Sequence, residues 1–365
     1  MRHYLDHAST SPTRTDAVEA LSEWLQRTGD PGRIHEEGLA ARVAVEDARE
    51  SVSALLGCRS SREVVFTSGA TEAIATAVWG AAERGSHQVV TAVEHSAVRL
   101  ATDAIGDVTV VGVDDLGRVD VDAVVDAIRP ETSCVHVQWA NHEVGTTQPV
   151  RDVIAACHER DVLVHVDAAQ AAGHLHVDFR TLDADLLSVS AHKFGGPPGI
   201  GALLIRRGLR LRPLLRGGDQ ERARRAGMEN VPAIAGFGAA CATVDVETEA
   251  KHQRALTQRI LDAEVDGVVT YGDPVGRVPH LVCLGVLGIE PQAVLLGLDR
   301  AGIAAHSGSA CSSEALEPSP VLEAMGVDAH RSLRISVGWS STDADIDAFL
   351  DALANVLASL RRLSG

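Results

Sequence analysis

Three stretches of the chain place reactive side chains where an α/β sheet would present them. Lys193 stands in Ser188-Val189-Ser190-Ala191-His192-Lys193-Phe194-Gly195-Gly196-Pro197-Pro198-Gly199, between a strand-like run and a Gly/Pro-rich turn. Desolvation at such a place lowers an ammonium pKa and favours the neutral amine that Schiff-base chemistry requires, although most loop lysines are solvated charges. Asp167 ends the apolar run Val164-His165-Val166, which delivers a carboxylate to a strand's C-terminal end. There it meets a cationic ligand group or caps the following helix. In Thr67-Ser68-Gly69-Ala70-Thr71-Glu72 a strand gives way to a helix, so backbone N–H groups and the Thr71 hydroxyl gather at a helix N-terminus. That is an anion site, or a plain turn with Ser68 or Thr71 as the cap.

The three elements must lie on one sheet for their chemistries to combine. From Glu63 to Arg207 short β-branched runs alternate with helical stretches: 63–67, 88–91, 108–113, 134–139, 162–166, 186–190 and 201–205. Runs apolar on both faces, joined by crossover-length helical segments, predict a mostly parallel sheet between helix layers. The spacing of Leu39, Val43, Val52 and Leu56 predicts a packing helix over 38–56, and an Ala-rich stretch predicts one long helix over 231–263. Beyond it, strands at 281–284 and 333–336 and helices at 291–301 and 342–360 read as a small α/β unit. The expected division is a large domain over 12–250 and a small one formed by 1–11 and 251–365. On such a sheet the helix N-terminus, Asp167 and Lys193 each come to a strand end, and together they suit pyridoxal 5'-phosphate: an anion cradle, a carboxylate for the pyridinium nitrogen and a Schiff-base lysine. The glycine fingerprints of dinucleotide-binding and P-loop folds are absent from the strand-to-helix turns.

Composition narrows the partners. Lys and Arg total 33 against 50 Asp and Glu, and a net charge of -17 repels a polyphosphate backbone, so direct nucleic-acid binding is not expected. Six scattered cysteines, without a paired Cys/His spacing, argue against a disulfide framework or structural zinc. The N-terminus carries no signal-peptide core and no run spans a membrane, so a cytoplasmic protein with reduced thiols is expected.

The chain resembles the cysteine desulfurases, class V aminotransferase-like members of the fold-type I pyridoxal-phosphate enzymes, from Tyr4 to about Asp347. The motifs that carry the resemblance are Thr67 to Glu72, Glu94-His95, Asp167 to Gln170, Ser190 to Lys193, and His306-Ser307-Gly308-Ser309-Ala310-Cys311-Ser312-Ser313. It implies that Lys193 binds the cofactor covalently, that Asp167 pairs with its ring nitrogen and Gln170 with its ring oxygen, and that His95 stacks on the ring. Ala70, Thr71, Ser190 and His192 would hold the phosphate, His142 would stand near the ring and substrate, and Arg334 would bind the substrate carboxylate as a bidentate fork. Cys311 would take the sulfur of L-cysteine as a persulfide, leaving L-alanine, and hand it to an unidentified acceptor protein. Its Ser-, Gly- and Ala-rich surroundings have the composition of a loop, whereas Cys58, Cys134, Cys157, Cys241 and Cys283 read as packing residues. A homodimer is implied too, because Gly217 to Gly238 resembles the segment that reaches across to the second subunit.

Two positions depart from the family's pattern. Met228 stands where relatives usually carry a threonine that donates to the cofactor phosphate, a loss of about 1.5–3 kcal/mol if uncompensated. In Asn141-His142-Glu143 an imidazole replaces the usual second asparagine. These departures keep two other readings open: a selenocysteine lyase-like or other Cβ–S lyase with the same cofactor, and a catalytically impaired sulfur-trafficking scaffold.

Overall fold

The computed structural model describes residues 2–308 and 318–364. Its strands are β1 (His3–Tyr4), β2 (Val64–Thr67), β3 (His87–Thr91), β4 (Asp107–Val111), β5 (Thr132–Gln138), β6 (Leu163–Asp167), β7 (Leu186–Ser190), β8 (Gly201–Ile205), β9 (Val268–Tyr271), β10 (Leu281–Val286), β11 (Ile303–Ala304) and β12 (Ser332–Ser336). Among the described residues β2 to β8 form one sheet in the order β2-β8-β7-β6-β5-β3-β4. The pairs from β4 through β3, β5 and β6 to β7 are parallel, while β8 runs antiparallel to both β7 and β2. The expected α/β architecture with a mostly parallel sheet is therefore present. Strands β5 to β8 are buried along their whole length, as both-face apolar runs require, but β4 is an edge strand with Val110 turned outward. An edge needs only one covered face, and the β-branched run at 108–113 did not reveal which strand would take it.

Two helix expectations need correction. The helix Glu36–Leu55 buries Ala41, Val45, Ala48 and Val52 against the helix Val231–Thr243, whereas Leu39 and Val43 face outward. Small alanines let the two helices approach closely, so they form the seam that a search for large apolar residues overlooks. The single helix expected over 231–263 is two, Val231–Thr243 and Val246–Leu261, broken where Val244 turns extended and Asp245 caps the second helix by accepting Thr248 N–H at 3.1 Å.

A second sheet, β12-β10-β9, is antiparallel. The helices Val246–Leu261, Pro291–Arg300 and Asp343–Ser364 cover it through a separate apolar core containing Leu256, Ile260, Val294, Leu298, Phe349 and Leu353. Strand β1 pairs with β11, and Leu5 and Ala8 are tied to Ser336, so the N-terminal segment belongs physically to this second core. From there residues 6–11 run back to the large sheet, where Ser11 N–H donates to His192 O at 2.8 Å. Among the described residues no helix is long and apolar enough to cross a membrane.

Candidate active site

The parallel strands and β2 all end at one edge of the large sheet, the edge where open α/β sheets bind ligands. There Asp167 ends β6, Ser190 ends β7, His95 caps the helix Ser96–Asp103, and a turn at Ser68-Gly69 opens the helix Ala70–Ala81. Gly69 has φ +150° and serves as N-cap without a side-chain bond, so neither Ser68 nor Thr71 is the cap the sequence suggested. A Cβ on Gly201 would fall 2.5 Å from Val189 O and 2.8 Å from Gly69 Cα; glycine there lets the turn lie directly on β8. These elements enclose a cavity of about 400 Å3 lined by Ala70, Thr71, His95, His142, Asp167, Gln170, Ser190, His192, Lys193 and Arg334, together with Ala8, Ser9, His306 and Gly308. Every site residue expected from the sequence is thus brought to one place except Cys311, which lies outside the described residues.

Lys193 Nζ donates to the carbonyls of Ala8 (2.6 Å) and Ser9 (3.0 Å). Its own carbonyl accepts Ser11 Oγ–H at 3.1 Å and the His174 ring at 3.3 Å, which fixes the backbone beneath the amine. Burial, with the Arg334 charge second, lowers the Lys193 pKa to about 8, outweighing the opposite pull of Asp167 and Asp6. Asp167 is buried, accepts Ala169 N–H at 3.0 Å, and has its pKa raised by desolvation. His95 Nδ1 accepts Ala97 N–H at 3.0 Å, which leaves its proton on Nε2; burial and the neighbouring His142, Lys193 and Arg99 lower its pKa to about 3. His192 is likewise held neutral, its pKa near 4 through burial and then Lys193.

The opposite wall is assembled by side chains from distant segments. Arg334, buried on β12, donates through Nη1 to His142 O (2.8 Å) and through Nη2 to Asp6 Oδ1 (2.8 Å) and Ser9 Oγ (2.6 Å). Its Nε is buried without a partner. The free fork expected from the sequence is therefore partly engaged: Nη2 is held by Asp6 and Ser9, and one Nη1 hydrogen and the Nε hydrogen remain. Gln170 is also anchored, donating to Ala8 O at 2.8 Å and accepting from His280 Nε2 at 3.0 Å, with one amide hydrogen left. The His142 ring meets His95 edge-on at 5.0 Å, and its buried Nδ1 has no partner. Met228 is exposed and shares a smaller cleft, about 130 Å3, with Ser68 and Gly199.

This donor set suits pyridoxal 5'-phosphate. A helix N-terminus capped only by glycine offers backbone N–H groups to a phosphate, and the +150° φ of Gly69 is one that a residue with a side chain rarely adopts. A buried carboxylate with a raised pKa suits a cationic ring nitrogen, and a lysine with a lowered pKa suits a Schiff base.

Residues 3–349 match the family described as Aminotransferase class-V. The chain is 42% identical to a cysteine desulfurase of Gluconacetobacter diazotrophicus, over 99% of this chain and 94% of that protein. The chain belongs to this family as a cysteine desulfurase. Among solved structures, the desulfurase resembles a NifS-like protein with a TM-score of 0.92 at 32% identity, covering 99% of this chain and all of that one. It also resembles SspA in complex with cysteine, with a TM-score of 0.83 at 30% identity over 93% of this chain and all of that one. Pyridoxal phosphate is the cofactor this family implies.

Sequence reasoning missed several groups of the desulfurase's site. The Ala8 and Ser9 carbonyls that hold Lys193, the Asp6 that holds Arg334, and His280 behind Gln170 carry no motif, and β1, which anchors the first three, is two residues long. The run Leu5-Asp6-His7-Ala8-Ser9 offered one signal, an acidic and a hydroxyl residue within a short N-terminal stretch, too common to single out.

Proposed function

We propose that this cysteine desulfurase converts L-cysteine to L-alanine with pyridoxal 5'-phosphate bound by Lys193, Asp167, Gln170, Ser190, His192 and the Ala70–Thr71 helix start, and passes the sulfur through Cys311 to an acceptor protein. The observation that carries this reading is the convergence of Lys193, Asp167, the glycine-capped helix start and Arg334 on a single cavity of about 400 Å3. The bound cofactor supplies an electron sink at the substrate's Cα.

The remaining tasks fall to the chain. Arg334 draws the substrate carboxylate with its charge and its Nη1 and Nε hydrogens. Lys193, whose pKa lowered to about 8 leaves much of the amine neutral near that pH, takes the Cα proton and later returns one. His95, neutral with its proton on Nε2, lines the cavity beside His142 and would have an N–H to donate to the bound groups. The Cys311 thiolate attacks the substrate sulfur: the S–S bond forms, the Cβ–S bond breaks, and its electron pair stays with the carbon skeleton, which leaves as alanine once protonated. Cysteine plus enzyme thiol thus gives alanine plus enzyme persulfide. The described cysteines support this choice by contrast. Burial raises the pKa of Cys134, Cys241 and Cys283, and pushes Cys58 and Cys157 up to about 12, so none of the five offers a thiolate near neutral pH.

Three further readings belong with this one. A division into 12–250 and 1–11 with 251–365 is supported by the two apolar cores, with the helix Val246–Leu261 of the second core crossing the boundary. A homodimer is supported by the exposed Leu39 and Val43 on the outward face of the helix Glu36–Leu55. A reducing, cytoplasmic setting suits described cysteines that are all unpaired. The test is direct. Purified protein should show the visible band of a lysine-linked cofactor, and added L-cysteine should yield alanine and sulfide in equal amounts under a reductant. Protein loaded with cofactor that releases pyruvate and ammonia in place of alanine would refute the reading.

A further inference from the structure

Glu143 lies behind the cavity wall, buried, and its chemistry is not used by the reaction described above. Its direction is set locally. Asn141 Oδ1 accepts the N–H groups of Glu143 (2.8 Å) and Val144 (2.9 Å), while Asn141 Nδ2 donates to Val93 O at 3.2 Å. This turn fixes the side chain among three groups from different parts of the sequence. Ser319 Oγ donates to Glu143 Oε2 at 2.5 Å and accepts Leu322 N–H at 3.2 Å, capping the helix Pro320–Ala324. That helix is packed through Val321 and Leu322 on a cluster that includes Val144 and Val93. On the other side, Gly308, at φ +101°, lies so close that a Cβ there would stand 3.7 Å from Glu143 Cβ and 3.3 Å from Arg334 Cβ. Toward the cavity, Glu143 Oε1 is 3.5 Å from Nε2 of His142, whose carbonyl holds Arg334 Nη1.

The two stretches that flank residues 309–317, which include Cys311, therefore lie against the same side chain, Gly308 beside its Cβ and Ser319 at its carboxylate, and that carboxylate stands 3.5 Å from His142 on the wall where substrate binds. Burial works against the charge on Glu143, but its hydrogen bond to and charge attraction with His142, the Ser319 hydroxyl and the Arg334 charge outweigh it and lower its pKa. A persistent anion is the strongest acceptor for the Ser319 hydroxyl.

We propose that Glu143 is a positioning residue for sulfur transfer: by holding Ser319 and standing beside Gly308 it sets both roots of the Cys311-bearing segment relative to the His142–Arg334 wall. The inference rests on the Cys311 reading above. It assigns Glu143 no contact with the reacting atoms, so its loss should slow the step that needs Cys311 in place and spare the binding of cysteine.

The test uses the cofactor-loaded enzyme in single turnover. Cysteine binding is followed by the change in the cofactor's visible spectrum, and persulfide formation by alkylation and mass mapping of Cys311. Ser319→Ala removes the hydroxyl and should slow persulfide formation about 10-fold or more, the loss expected for a hydrogen bond to a charged group, with the Kd for cysteine changed no more than about threefold. Ser319→Thr, which keeps the hydroxyl, should restore the rate to within about threefold of wild type. Glu143→Ala should slow the same step at least as much, and adding Ser319→Ala to it should cost little more, because both act on one contact. Should Glu143→Ala not fold, the Ser319 pair alone decides the matter. Wild-type rates in Ser319→Ala, or a rate loss matched by equally weakened cysteine binding, would overturn the positioning role while leaving Cys311 as the carrier. A persulfide mapped to another cysteine in the wild-type enzyme would instead overturn the Cys311 reading itself, and the positioning role with it.

Discussion

The two walls of the cavity are built in opposite ways. Asp167, Ser190 and Lys193 stand at or just beyond the ends of adjacent strands β6 and β7, so hydrogen-bonded strand pairing puts them side by side. The facing wall draws on three stretches far apart in sequence, around Asp6, His142 and Arg334; a backbone bridge sets Asp6 beside Ser336 on β12, and the Arg334 side chain ties the stretches together through Asp6, Ser9 and the His142 carbonyl. The difference shows which part of the site the fold supplies and which part the side chains must supply themselves. On the sheet wall a substitution should remove chemistry and leave the fold intact; on the facing wall, function and stability should fall together.

Lys193→Ala provides the sharpest break. It should lower alanine formation by about 10⁴-fold or more, because it removes the proton-transfer group and the covalent anchor at once. Circular dichroism melting of the variant should still show a cooperative transition near that of the wild type, since the Lys193 side chain bonds only to two carbonyls that the adjoining chain already fixes. Arg334→Ala, on the other wall, should raise KM for cysteine about 10²-fold and also destabilise the protein by about 3 kcal/mol, because Asp6 loses its cation. Urea unfolding alongside steady-state kinetics checks both. An Arg334 variant with a wild-type unfolding midpoint would erase the contrast between the walls.

Glu94 sharpens the picture of the sheet wall. Its Oε1 accepts both Thr91 Oγ–H and Gln138 N–H, its buried Oε2 has no partner, and desolvation raises its pKa to about 8, with nearby Asp167 adding to the effect and Arg99 opposing it. A carboxyl whose folded pKa lies above its unfolded value stabilises the fold below the unfolded pKa. That contribution is lost as pH rises through the folded pKa, here between about pH 4.5 and 8. Glu94→Gln keeps the acceptor and stays neutral, so its stability relative to wild type should grow by roughly 3–5 kcal/mol from pH 5 to pH 8. Denaturant titrations at the two pH values measure this. A smaller effect follows from the lowered pKa of Lys193: the rate at which cofactor-free enzyme captures pyridoxal phosphate should rise with pH to a midpoint near 8, not above 10.

Legibility in the sequence divides along the same line. The strand runs at 186–190 and 201–205, the Gly69 turn, Asp167 and Lys193 could be found because strand periodicity and chain order determine where they end up. The facing wall could not be read in this way. Nothing in Asp6-His7-Ala8-Ser9 shows that two of its carbonyls will hold an ammonium, since that depends on β1 pairing with β11 some 300 residues away. The misjudged face of Glu36–Leu55 has a related cause: its partner, Val231–Thr243, selects alanines for close approach, and that choice is tertiary.

The central claim is that sulfur leaves cysteine at this cavity and is carried by Cys311. Wild-type enzyme loaded with cofactor, mixed with one equivalent of L-cysteine without reductant and mapped by mass spectrometry after alkylation, should carry one extra sulfur on Cys311 with a matching amount of alanine released. Extra sulfur on Cys58, Cys134, Cys157, Cys241 or Cys283, or alanine formed with no persulfide on any cysteine, would contradict it.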